Sequence, residues 1–198
     1  MGLGADQLEA LTECVDLINT GRRSAGRGSG MPSDPLADLA GVAAFARRHR
    51  VENRSAAQAA DVPRLRELRA RLDAIVATCE VGAVQKAIRD LNAVLAETGA
   101  VPRIVTHDGR PPHIHVSSAT APLADRIAAH SAMGLAELIV AGDSGHVRTC
   151  ASPRCDQVFI DLSRNQSRRY CDSRTCGNRI HVAAYRSRQS VLSATLPT

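Results

Sequence analysis

Residues 150–176 read CASPRCDQVFIDLSRNQSRRYCDSRTC, and the spacing of cysteine here decides how the C-terminal end folds. Cys150 and Cys155 enclose four residues, fifteen residues follow, and Cys171 and Cys176 enclose four more. Zinc takes four soft ligands in a tetrahedron, and one turn can present two thiolates at a time, as in zinc ribbons. The quartet Cys150, Cys155, Cys171 and Cys176 therefore predicts one closed structural Zn2+ site, without the open position that catalysis needs. Three alternatives stay open. His181, five residues past Cys176, can in principle replace a cysteine; a [4Fe–4S] cluster also takes four thiolates; and the cysteines can simply be buried and free.

The same stretch is poor in apolar side chains. Val158, Phe159, Ile160, Leu162 and Tyr170, then Ile180, Val182 and Tyr185, are its candidate core. So small a core cannot offset chain entropy alone. Structural zinc contributes roughly 10–16 kcal/mol of apparent folding free energy at neutral pH, enough to close the deficit.

Charge follows the cysteines. Between His146 and Ser190 nine arginines face three aspartates, a net +6, which leaves −1 for the rest of a chain whose total is +5. Such asymmetry points to an anionic partner for one end of the molecule. Arg164, Asn165, Gln166, Arg168 and Arg169 fill the loop before the second cysteine pair, and Arg174, Arg179, Arg186 and Arg188 follow. These residue types contact phosphates and base edges. Residues 178–189 are expected to be a helix with Ile180, Ala184 and Tyr185 inward and Arg179, Arg186 and Gln189 outward. A solvated basic face without a partner is the plainer alternative, and charge does not separate DNA from RNA.

Upstream the sequence predicts a mainly α domain over 1–145, then the module over 146–190 and a tail over 191–198. With hydrophobic content at 44%, aromatics at 2% and no Trp, the core must be aliphatic. Leu8, Leu11, Val15 and Ile18 mark an amphipathic helix over 5–19. A Gly/Ser/Arg-rich loop follows, and Ser33 or Asp34 is expected to cap a helix through residue 49 with Pro35 in its first turn. Pro63 opens the next helix, Gly82 interrupts, and a further helix ends at Gly99. Residues 101–118 (VPRIVTHDGRPPHIHVSS) predict a small hairpin turning at His107–Arg110, and 121–141 return to helical period. The fold class is thus mainly α with a small β-hairpin, followed by a zinc-ribbon-like α+β module. Cys14 and Cys79, each alone on a helix among apolar neighbours, are expected in the core. His113 and His115 share one strand face and with His107 can bind a metal, but exposed hairpin histidines are the favoured reading, since no carboxylate or cysteine accompanies them.

Several function classes find no support. There is no run of about 18 apolar residues, no basic and apolar start of a secretory signal, and Asp6 stands where a myristoylation motif wants Ser or Thr. A cytoplasmic protein is expected, and closely spaced cysteines in a reducing compartment favour metal over disulfide. Lys86 is the single lysine, a bias expected of a GC-rich bacterial genome. No Gly-rich phosphate loop or nucleophile elbow is present, and Asp108 beside His107 is only one adjacent pair, so an enzyme is not expected.

The segment Cys176-Gly177-Asn178-Arg179, approached by Arg169-Tyr170-Cys171 and preceded by Cys150, Cys155, Phe159, Asp161, Ser163 and Arg168, resembles the CGNR zinc finger family. Tyr170 stands where members often carry Trp and can fill the same pocket. The resemblance implies the four cysteines as zinc ligands and a DNA-binding role. In such proteins the finger follows a helical ABATE domain, regarded as a stress-responsive regulator. Its opening signature, Leu-Asp-Phe-x-Asn-Thr in form, is similar to Val15-Asp16-Leu17-Ile18-Asn19-Thr20, and Pro35-Leu36 after a Gly-rich loop also fits. Asp16, Asn19 and Thr20 are read either as a helix-ending, loop-fixing device, which is favoured, or as part of a ligand pocket.

The leading expectation is a bacterial transcription regulator whose helical part senses a signal or dimerises and whose zinc module grips DNA. A homodimer would suit weak single-site binding. The alternative is a protein-interaction module docking on RNA polymerase or another protein. Any small-molecule ligand, and the sign of regulation, are not specified by the residues.

Overall fold

The computed structural model describes residues 4–22, 34–51, 56–106, 109, 111–118, 120–183 and 185–186. His107, Asp108, Arg110, Arg188, Gln189, Ala184, most of the Gly/Ser/Arg-rich loop and the tail lie outside the described residues. Among the described residues, five α-helices form the body: α1 (Ala5–Asn19), α2 (Leu39–Arg48), α3 (Asp61–Glu80), α4 (Val84–Glu97) and α5 (Leu123–Val140). Two short antiparallel hairpins accompany them, β1 (Arg103–Val105) with β2 (His113–His115), and β3 (Val147–Thr149) with β4 (Val158–Ile160).

Helix α5 is the hub, packed by α1, α3 and α4. It is apolar on nearly every side, with Leu123, Ile127, Ala128, Ala132, Leu135 and Leu138 buried, the composition of a helix surrounded by others. Its small residues set how close the neighbours come. A Cβ on Gly134 would lie 2.9 Å from the Ala10 Cβ and 3.2 Å from the Leu11 nitrogen, so α1 can cross here only because this position has no side chain. The two helices also share a buried polar contact: Glu13 accepts from Ser131 Oγ at 3.1 Å and pairs with His130 Nδ1 at 3.2 Å. Burial opposes the charged form of His130, but Glu13 outweighs it and holds the imidazole above its ordinary value.

Gly82 and Gly99 end α3 and α4 at φ +76° and +58°. In each case the next residue's N–H closes a six-residue ring to the helix, Ala83 to Thr78 O and Ala100 to Leu95 O, a Schellman ending that favours glycine. The start of α2 differs from expectation. The helix begins at Leu39, with Asp38 accepting from Gly41 N–H at 2.9 Å. Asp34 instead closes a separate turn, accepting from Leu36 N–H, because its carboxylate is drawn to Arg69 at 2.8 and 3.0 Å. Arg69 holds that carboxyl below its usual range. Cys14 is fully buried, whereas Cys79 is only half-buried against the same core. Among the described residues no helix is long and apolar enough to cross a membrane.

The aliphatic core does not stop at the end of α5. Val147 and Val158 are buried within it, and Ile160 packs against it. Side chains alternate along a strand, so β4 puts Val158 and Ile160 toward the helices and Phe159 toward the cysteines. The β3–β4 hairpin is thus a layer with a helical core on one face and the cysteine cluster on the other.

Candidate metal centre

The four cysteines converge. One sulfur from each of Cys150, Cys155, Cys171 and Cys176 lies within 4.8 Å of all the others, with three of the residues buried and Cys171 half-buried. Cys155 Sγ is 3.7 Å from Cys171 Sγ, and Cys171 Sγ is 3.6 Å from Cys176 Sγ. A tetrahedron with zinc–sulfur bonds of ~2.3 Å has sulfur–sulfur edges of about 3.8 Å, so the donor set fits one zinc ion. Burial first, then the neighbouring sulfurs, pushes the Cys171 thiol far above its ordinary value, and burial raises Cys176 as well. Four thiolates cannot remain charged together here without a cation among them. The cluster therefore holds one structural zinc through four cysteines, and His181 lies exposed outside it.

Local backbone explains why a four-residue gap works. Cys150 leaves β3 and its N–H donates to Gln157 O, while Cys155 N–H donates to Ser152 O, folding 150–155 into a tight turn. At the second pair, Asp172 accepts from the N–H groups of Arg174 and Thr175 at 2.7 and 2.8 Å. These contacts lower its carboxyl below the usual range. A wide turn, Ser173–Gly177, closes from Gly177 N–H to Asp172 O and brings Cys176 back over Cys171. An ordinary α-helix would point residues five apart in diverging directions. Residues 178–183 and 185–186 continue as helix. Ala151 N–H donates to Arg169 O and Cys171 N–H to Cys150 Sγ at 3.4 Å, so each pair is tied to the other.

The basic loop is built around Asp161, which is 0% exposed. Its carboxylate accepts from Ser163 N–H at 2.9 Å, Ser163 Oγ at 2.5 Å and Arg168 N–H at 2.8 Å, with the Arg148 guanidinium 3.6 Å away. Burial raises this carboxyl, but those donors outweigh it and leave it below its usual range. Arg148 also donates to the carbonyls of Gln166 and Arg168.

The arginines divide into two groups. Arg168 is exposed but engaged along the module's surface: its Nε donates to Tyr170 O at 2.8 Å, its Nη2 to Cys171 O, and its guanidinium stacks 5.1 Å from the Phe159 ring centre. Gln166 adopts φ +48° and sets its amide 3.3 Å from His146 Nε2. Arg164, Asn165, Arg169, Arg174, Arg179 and Arg186 are exposed, with Arg169 6.0 Å over Tyr170. The expected apolar residues divide too. Phe159 and Tyr170 pack on the cysteines. Leu162, Val182 and Tyr185 are exposed, not core, because the sulfurs occupy the space that a larger apolar centre would fill.

Asn19 and Thr20 end α1, as their types suggested, and what they hold is specific. Asn19 Oδ1 accepts from Val158 N–H at 2.8 Å and its Nδ2 donates to Val158 O at 2.9 Å. One side chain thus caps both backbone groups of a β4 residue 139 positions away. Thr20 Oγ1 donates to Leu17 O and accepts from Arg69 at 3.0 Å. Asp16 pairs with Arg48 at 3.0 Å and His49 at 3.3 Å at the end of α2. Sequence reasoning missed the remaining fastenings. Arg22 donates to Asp156 O and pairs with Asp73, and its own carbonyl accepts from Gln157. Glu80 accepts from both the N–H and the hydroxyl of Thr149, at 2.5 and 2.9 Å. Arg22 stood in a low-complexity run and Glu80 at a helix end, so neither carried a local signal.

The first hairpin corrects another expectation. His113 is 8% exposed, while Ile104 and Ile114 are 79% and 57% exposed. The register pairs Ile104 with Ile114 and Val105 with His113, so the pleat sends an imidazole inward and the isoleucines outward.

Comparison with known families matches these two regions separately. The family model for the CGNR zinc finger matches residues 146–189. The ABATE model, described as "Putative stress-induced transcription regulator", matches residues 12–142. No curated protein matches the chain.

Proposed function

The chain belongs to the ABATE family, and on that premise we propose that it is a bacterial, cytoplasmic transcription regulator whose zinc module grips DNA through arginines. The observation that carries this reading is the segregation of charge within the module. Asp161 is folded beneath the loop and Asp172, though exposed, accepts from two backbone N–H groups, while Arg164, Arg168, Arg169, Arg174, Arg179 and Arg186 are at the surface. A net +6 spread over so small a body favours a polyanion. The zinc shapes this surface and, with all four positions taken by sulfur, has no vacancy for substrate, which supports a role other than catalysis. Because one module reaches few phosphates, a homodimer that places two on one site belongs to this reading.

The test must avoid Arg168, whose substitution would disturb the zinc loop itself. The double variant Arg164→Ala with Arg169→Ala should weaken DNA binding and reduce the slope of log K against log salt by about two, one for each phosphate that is no longer neutralised. Fluorescence anisotropy across a salt series reads both quantities, and an unchanged affinity and slope would sink the assignment. A second reading has its own support. Exposed Leu162, Val182 and Tyr185 give the module apolar surface suited to a protein partner. Capture of RNA polymerase with no affinity for bare DNA would favour that docking role.

A further inference from the structure

We propose that the β1–β2 hairpin carries a second metal site, in which Nε2 of His113 and Nε2 of His115 bind one divalent ion of the zinc class. The two nitrogens lie 3.2 Å apart, and the rings meet edge to face with centres 5.0 Å apart. Two imidazoles on one tetrahedral zinc, at bonds of ~2.0–2.1 Å, have their nitrogens about 3.3 Å apart. The observed spacing is that of two ligands sharing one ion.

Three further features point the same way. His113 Nδ1 is 3.0 Å from Pro111 O, so Nδ1 carries the hydrogen and Nε2 keeps its lone pair. This backbone orientation is the usual arrangement behind a metal-bound histidine. The register holds both imidazoles on one strand face at the expense of leaving Ile104 and Ile114 in water, whereas a hairpin built for packing alone would place the isoleucines inside. Finally, His113 borders a cavity of about 400 Å³ that is also lined by Asp6, Gln7 and Glu137. The cavity leaves room for water to complete the coordination. Nitrogen donors and open positions make this site exchangeable, unlike the closed sulfur site. It is also independent of DNA binding.

The experiment uses the full chain with one zinc already on the cysteines, titrated with Zn2+ by calorimetry and by histidine ring 15N spectra. A second equivalent is expected, weaker than the first, with the Nε2 signals of His113 and His115 moving together. His115→Ala should weaken that second equivalent at least tenfold and leave the first intact. Should His113→Ala or His115→Ala fail to fold, the ring signals of the native chain decide alone. A single equivalent in the native chain, immobile Nε2 signals, or a second equivalent undiminished in His115→Ala would each overturn the proposal, leaving a histidine–histidine hydrogen bond.

Discussion

Among the described residues are two hairpins of equal size and opposite construction. β1–β2 and β3–β4 are both antiparallel pairs of three-residue strands. In β3–β4 the branched residues Val147 and Val158 are buried in the helical core and Phe159 in the metal centre. In β1–β2 the branched residues Ile104 and Ile114 are exposed and His113 is covered. An isolated two-stranded hairpin is marginal in water, so each must be held by something outside its ladder. The second is clamped between zinc on one face and the helices on the other, with Asn19, Arg22 and Glu80 fastened to its backbone. The first has only its inner face to hold it. Both carry an arginine and branched residues, and they differ in which residues the register turns inward.

Removing zinc should disturb this contrast most severely. The β3–β4 hairpin contributes Val147 and Val158 to the helical core, so a chelator should destabilise the helices as well as the module. Zinc is worth roughly 10–16 kcal/mol to such modules, and each kcal/mol shifts Tm by ~2–4 °C at this chain length. A fall of roughly 20 °C or more is expected in a thermal melt followed by helical circular dichroism. An unmoved helical transition would mean that the two parts fold separately. Next in size is Asn19→Ala. It leaves both the N–H and the C=O of Val158 without their partner and should cost roughly 2–3 kcal/mol in denaturant unfolding. Zinc content should be unchanged, and a loss below about 0.5 kcal/mol would show that water replaces the clamp. The smallest effect belongs to the first hairpin. Ile114→Thr should lie within about 0.5 kcal/mol of the native chain, because its side chain is already in water, and a larger loss would show that this face is covered in solution.

Much of this was legible in the residues. The cysteine spacing carried the metal site because zinc geometry tolerates few alternatives, and the helices were readable because apolar residues recur at three and four positions. The role of Asn19 was legible only in outline: an Asn at a helix end bonds nearby backbone, but its actual partner, Val158, is 139 residues away and leaves no trace in local pattern. Arg168 read as a phosphate contact by type, and the structure leaves it exposed while also engaging it with Tyr170, Cys171 and Phe159. Residue type gives a side chain its charge but no direction. Leu162, Val182 and Tyr185 read as core by hydrophobicity, yet four sulfurs and an ion leave little volume for them.

Residue type and short spacing were enough for the metal, its four ligands, the helical body and the surplus of positive charge, because each depends on neighbours close along the chain. Three outcomes needed the folded molecule: β3–β4 joins the two regions into one core, Asp161 is buried beneath the basic loop and organises it, and His113 and His115 meet beneath an exposed pair of isoleucines. They rest on register and on contacts between distant residues, where a shift of one position along a strand exchanges inside for outside.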